Sequence, residues 1–220
     1  MASSLDSLLA EVRACRVCVE EPDREPLPHA PRPVLRVSKT ARLAVVGQAP
    51  GTRVHASGVP FTDPSGERLR AWMGVTDDEF YDVGRVAIIP MGFCYPGQDT
   101  KGGDLPPRPE CARHWRSRLF DQLPQIALML LIGGYAQRWH LGASAGSSVT
   151  ETVRAWREIS DRPGPCRILP LPHPSWRNSG WLKAHPWFEA ELLPCLRRQV
   201  HTFLDRRTDL VTRTGKNYPY

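Results

Sequence analysis

Leu43-Ala44-Val45-Val46-Gly47-Gln48-Ala49-Pro50-Gly51 is the stretch on which the fold turns. A short apolar run ending in a tight loop of small residues reads as a buried strand that delivers its carboxyl end to a site. Gly47, Ala49 and Gly51 keep side chains out of the way, so a ligand can approach the backbone closely. The loop is not G-x-G-x-x-G and lacks the Lys-Ser/Thr of a phosphate loop, which argues against a dinucleotide site. After a gap of eight residues comes Pro60-Phe61.

Outward from this loop, a second strand is expected near 85–90, emptying into a Gly/Pro-rich loop that runs to 109. Ala127 to Ile132 is almost wholly apolar without alternation, the pattern of a central parallel strand covered on both faces. A fourth strand, Arg167 to Leu171, leads into His173-Pro-Ser-Trp-Arg-Asn-Ser-Gly-Trp181. Helices are expected over 3–14, 66–73 (capped by Asp63 or Ser65), 111–123, 134–141, 148–158 and 187–204. Strands alternating with helices predict a three-layer α/β/α domain around a central four-stranded, mainly parallel sheet. Residues 1–205 are read as one domain and 206–220 as a charged tail. Ligands of such sheets bind beyond the strands' carboxyl ends, where the loops after strands one, two and four would meet.

The chain has 220 residues, with 29 Lys and Arg against 23 Asp and Glu, for a net charge of +6. That balance suits an acidic partner such as nucleic acid, and equally a solvated basic surface. No apolar run approaches a membrane span, and the start lacks a signal-peptide core, so a cytoplasmic monomer without membrane attachment is expected. Six cysteines in such a chain point to metal or chemistry rather than a disulfide framework. Cys15-x-x-Cys18 is a chelating pair, followed by Cys94 and then by Cys111, with 16 residues between these two. Four thiolates brought together hold either a tetrahedral zinc or a cubane iron–sulfur cluster. Cys166 and Cys195 read as packing residues.

These features together resemble the uracil-DNA glycosylase superfamily, in particular its iron–sulfur branches, families four and five, over about residues 5–200. Gly47-Gln-Ala-Pro-Gly51 is similar to the first motif, G-E-A/G-P-G, and the gap to Pro60-Phe61 has the family-four spacing. His173-Pro-Ser175 is similar to the second motif, H-P-S/A. Cys15, Cys18, Cys94 and Cys111 follow the order and spacing of the ligands of that branch's 4Fe–4S cluster.

The resemblance implies roles. Phe61 would stack on a flipped-out base, which Gly47 and Ala49 would also contact, and His173 would hydrogen-bond a uracil oxygen as negative charge develops on the leaving base. Gln48 would face the sugar and the attacking water. Where well-known glycosylases carry Asp, this chain has Ala49, so the water would be held by Gln48 or oriented by Asp63, which also reads as a helix cap. Family four reads the uracil edge with an Asn four residues before the third cysteine. Here that position is Pro90, so recognition of other deaminated bases is expected, with Met91 and Phe93 lining a looser pocket. Ser175, Trp176, Arg177 and Asn178 would contact DNA, Trp176 as the wedge that fills the gap left by the extruded nucleotide. Lys101 and Arg108 would touch phosphates. The implied activity is a monofunctional DNA glycosylase acting on DNA that contains uracil or other deaminated bases. The rival reading is a non-catalytic binder of damaged or single-stranded DNA using the same pocket.

Overall fold

The computed structural model describes residues 4–205, so the tail expected at 206–220 lies outside the described residues. Four strands form one sheet: β1 (Leu43–Val46), β2 (Val86–Ile88), β3 (Leu128–Ile132) and β4 (Arg167–Leu171). Their order is β2-β1-β3-β4 and every pairing is parallel, with Leu43 opposite both Val86 and Leu128, and Leu128 opposite Arg167. The predicted architecture is therefore the observed one, with no antiparallel strand in the sheet.

The strands read as apolar runs because both faces are covered. Alternate residues divide between two cores. Ala44, Val46, Ala87, Met129 and Leu131 pack with Leu8 and Val12 of the helix Leu5–Arg13 and with Trp115 and Leu119 of the helix Pro109–Asp121. Leu43, Val45, Val86, Ile88 and Leu130 pack with Leu69 and Met73 of the helix Pro64–Met73 and with Leu196 and Val200 of the helix Leu193–Asp205. The Pro-rich passage before β1 covers the outer edge of β2, where Arg36 and Ile88 exchange backbone hydrogen bonds of 2.9 and 2.7 Å. That pairing protects an otherwise open sheet edge.

Two helix expectations change. The single helix expected over 148–158 is two, Val149–Arg154 and Trp156–Ser160, because Ala155 at ψ 15° breaks the ladder. The last helix opens with a π-helical turn, Phe188–Leu192, which ends two positions before Pro194. Proline has no N–H and its ring crowds the carbonyl four residues back, and a widened turn relieves both conflicts. Among the described residues no helix is long and apolar enough to cross a membrane.

The chain leaves β1 to pair with β2 on one side and with β3 on the other. That reversal of strand order opens a crevice above the carboxyl ends.

Candidate active site

The backbone ladder continues past the strands and fixes the first loop. Met91 N–H donates to Gly47 O at 2.9 Å and Gly92 N–H to Gln48 O at 3.0 Å. Gly47, Gln48, Ala49, Phe61, Asp63 and Pro90 then line one cleft of about 430 Å³ together with His173, Ser175, Trp176 and Arg177. The volume lies in the range of small-molecule sites. Asn178 lines an adjoining lobe with Gln48 and His173. The ten positions in the main cleft come from three separate loops, after β1, β2 and β4.

Phe61 is held under strain. Its φ of 58° is the only positive value at a non-glycine among the described residues. For a bulky residue this left-handed conformation costs about 1–2 kcal/mol and persists only when neighbours enforce it. They do so through its carbonyl, which accepts from Tyr81 Oη at 3.0 Å and Arg70 Nη1 at 3.1 Å. Arg70 is itself anchored by Asp77 at 2.7 Å. The Phe61 ring meets Phe80 edge-on at 5.9 Å and lies against Gly47, where a Cβ would stand 3.2 Å from its Cζ. Glycine at 47 is what lets the ring form a wall of the cleft. Asp63 caps the helix Pro64–Met73, its Oδ1 accepting Gly66 N–H at 3.1 Å, while remaining part of the cleft wall.

His173 lines the same cleft from the loop after β4. Ser175 N–H donates to His173 Nδ1 at 3.2 Å. An accepting Nδ1 leaves the ring proton on Nε2, so the imidazole is a neutral donor. Burial pushes its pKa below the ordinary imidazole value, against an opposing pull from the Asp63 carboxylate. Asn178 Nδ2 donates to the His173 carbonyl at 2.7 Å, and Arg68 Nη1 donates to the Ser175 carbonyl at 2.9 Å. Arg68 thus ties the loop after β4 to the helix that Asp63 caps. Trp176 is 70% exposed, with the Arg177 guanidinium 5.7 Å from its ring centre. A large aromatic left in solvent beside the cleft is placed to meet a ligand.

The four cysteines share one apolar neighbourhood beneath the loop after β2. Cys18, Cys94 and Cys111 are buried in the same core, and Cys15 packs against it. Burial pushes the Cys18 thiol up to about 11 and the Cys94 thiol up to about 12, and raises Cys111 as well. Two N–H groups already address the sulfurs, Phe93 N to Cys111 Sγ at 3.3 Å and Trp115 Nε1 to Cys15 Sγ at 3.2 Å. Donors of this kind favour thiolates that bind metal. Among the described residues, however, no three His, Cys, Asp or Glu side chains stand in ligand geometry. Cys195 is buried in the other core and Cys166 packs at the rim of the first, as expected of packing residues.

The family model of the uracil DNA glycosylase superfamily matches residues 36–197. The chain belongs to that superfamily. The match spans all four strands and every cleft residue named above, and it begins after the Cys15–Cys18 pair.

For this glycosylase-superfamily chain, two sequence expectations need correction. Met91 and Phe93 do not line the pocket: they lie buried in the opposite core with Ala87 and Ile89. The two-residue pleat of β2 runs on through this segment and turns every second side chain away from the cleft. Arg108 is not a phosphate contact. It forms a buried pair with Glu110 at 2.9 Å and donates to the Glu25 carbonyl, stapling the Pro-rich passage in place. Sequence reading also passed over Gly66, Arg68, Arg70, Tyr81 and Asp104. Only Gly66 carried a visible signal, as the closing residue of Phe61-Thr-Asp-Pro-Ser-Gly66.

Proposed function

We propose that this chain is a monofunctional DNA glycosylase that extrudes a deaminated base, uracil first among them, and hydrolyses its N-glycosidic bond. The observation that carries this reading is the fixed tautomer of His173, a half-buried neutral N–H donor in the same cleft as the strained aromatic wall of Phe61. A flat apolar face supports an extruded base by stacking. The Nε2–H donor is preorganised for the oxygen on which negative charge grows as the bond breaks, so it stabilises the transition state more than the ground state. Trp176 fills the gap in the base stack, offsetting an unstacking cost of about a few kcal/mol. No lysine lines the cleft among the described residues, so a Schiff-base lyase step lacks its nucleophile.

The pocket edge is less selective than an amide would make it. Pro90 has no N–H, and its carbonyl accepts from the buried Arg116 guanidinium at 3.0 Å. Hypoxanthine and xanthine should therefore be excised as well as uracil. The test incubates purified protein with single- and double-stranded oligonucleotides carrying each base and reveals abasic sites with alkali. Strand scission at uracil is the expected result. Tight binding without scission on any substrate would replace this reading with that of a damaged-DNA binder.

The order and spacing of the cysteines, and the one core they share, support the iron–sulfur branch. Cys15, Cys18, Cys94 and Cys111 would hold a 4Fe–4S cluster, which when bound supplies a rigid cross-link rather than electrons. The residues around it clamp the loop after β2 to the N-terminal segment, and Arg108 and Trp115 belong to that clamp. Protein purified without oxygen is expected to be brown and to absorb at about 400 nm, as thiolate-bound clusters do. A colourless protein carrying zinc would assign the four thiolates to a tetrahedral metal instead.

A further inference from the structure

Hydrolysis at the sugar needs a group that holds the attacking water and faces the positive charge developing on C1′. The Gly47–Gly51 loop supplies no charged group for this, since the Gln48 amide is neutral and Ala49 has no polar side-chain atom. Asp63 is the acid nearest in sequence, and its Oδ1 is committed to the cap of the helix Pro64–Met73.

A different carboxylate reaches this loop from the far end of the loop after β2. The segment 97–105 folds back on itself. Leu105 N–H donates to Gly97 O at 2.9 Å, Gln98 and Asp104 form an antiparallel bridge, and Asp99 Oδ1 accepts from Lys101 and Gly103 N–H at 2.8 Å each. This closure lays Asp104 across the cleft. A Cβ built on Gly51 would stand 3.1 Å from Asp104 Oδ2, so the carboxylate rests against the backbone of the same loop that lacks an acid, two residues from Ala49. Asp104 also lines both the main cleft and an adjoining lobe, in each case with Gln48, His173 and Arg177.

We propose that Asp104 is the catalytic carboxylate of the hydrolysis, holding the water that attacks C1′ and facing the cationic sugar. This rests on the glycosylase reading. In the step, the C1′–N bond breaks with its electron pair retained by the base, which departs as an anion hydrogen-bonded by His173. The water oxygen bonds to C1′ and its proton passes to Asp104. The base anion takes up a proton, and the carboxylate returns to its starting state by losing one. Atoms and charge balance with water as the only co-reactant.

The electrostatics favour this use. Partial burial holds the Asp104 carboxyl above the ordinary carboxylate value, opposed by Arg177 and by a hydrogen bond from the Gln98 side chain, with Asp63 adding to the rise. A more basic carboxylate is a better acceptor for the water proton. The Arg177 guanidinium favours the ionised form, which is the state the step requires.

Asp104→Asn keeps the shape and removes the charge. Single-turnover excision from a uracil-containing oligonucleotide should fall about 100-fold or more, within the range for general-base loss. Asp63→Asn, in which Asn remains a good cap, should cost much less. A readout independent of turnover uses oligonucleotides with a pyrrolidine, a cationic sugar mimic, or with a neutral tetrahydrofuran at one position. The wild type should prefer the pyrrolidine and Asp104→Asn should lose that preference. An Asp104→Asn protein that excises within threefold of wild type, or keeps the preference, overturns the proposal while leaving the glycosylase reading in place. A wild type that excises nothing yet shows an Asp104-dependent preference overturns the glycosylase reading and retains Asp104 beside the sugar.

Discussion

His173→Ala is expected to lower single-turnover excision of uracil by about 10²–10³-fold, equivalent to roughly 3–4 kcal/mol of transition-state stabilisation. Affinity for the uracil-containing oligonucleotide should change no more than a few-fold. On the proposed reading the two effects separate, because the N–H donor would meet a base oxygen that is only weakly charged until the bond breaks, whereas binding would rest on the Phe61 wall, on Trp176 and on phosphate contacts. The ring is also ready before substrate arrives. Ser175 N–H fixes the tautomer at 3.2 Å and Asn178 Nδ2 fixes the backbone at 2.7 Å, so little reorganisation is needed during reaction. Equal losses of turnover and binding would show that His173 shapes the loop and does not act on the leaving base.

The same geometry sets a direction for pH. The working His173 is neutral, and burial lowers its pKa, so protonation is deferred to more acidic solution. Activity is therefore retained as pH falls through the ordinary histidine value of about 6.5, and is lost only as pH falls through the lower folded value. Asp63, Asp104, Arg53 and Arg177 are the other charged groups lining the cleft. Of these Asp104 also titrates on the acid side, its pKa raised by burial. The pH–rate profile of Asp104→Asn then reads His173, and an inflection there at or above about 6.5 would contradict a neutral donor with a lowered pKa.

Much of the fold was readable because its signals are local. Leu128 to Ile132 is apolar without alternation, and the sheet buries it on both faces. Gly47, Phe61 and His173 were readable because each lies within a few residues of a strand end or a fixed-spacing motif. Met91 and Phe93 were misread although the information was present: counting by twos from Ala87 reaches Ile89, Met91 and Phe93, all in one core. The helix Asp77–Tyr81 was passed over despite its capping box, Thr76 with Glu79, a pattern visible in the sequence. Asp104 is a different case. Its position depends on closure of a Gly/Pro-rich loop against a strand end some fifty residues earlier, and neither periodicity nor propensity encodes that contact. Nor does any pattern show that Arg70 and Tyr81 converge on one backbone carbonyl.

That carbonyl makes Gly66→Ala the harshest small change available. Gly66 lies inside the helix Pro64–Met73, where alanine is intrinsically favoured over glycine by about 1 kcal/mol, so propensity alone forecasts a more stable protein. Sterics reverse the sign. A Cβ at 66 would fall 1.8 Å from the Phe61 carbonyl oxygen and 2.6 Å from its carbon. Both are backbone atoms, and the oxygen is pinned by Tyr81 and Arg70, so nothing flexible can give way. Either the helix start or residue 61 must move. If residue 61 moves, the left-handed conformation loses the hydrogen bonds that enforce it and the ring leaves Gly47, taking the stacking wall of the cleft with it. We expect a net destabilisation of about 3 kcal/mol, at the upper end for overpacking, seen as a lower Tm. Excision should fall by more than about 100-fold through a wall that is no longer in place. Gly180→Ala is the matched comparison: it is also helical, and a Cβ there meets nothing within 4 Å, so it should be neutral or stabilising. A Gly66→Ala protein with wild-type Tm and activity would mean that the Phe61 carbonyl is not held where these contacts place it, and that the strained aromatic wall is not fixed through Gly66.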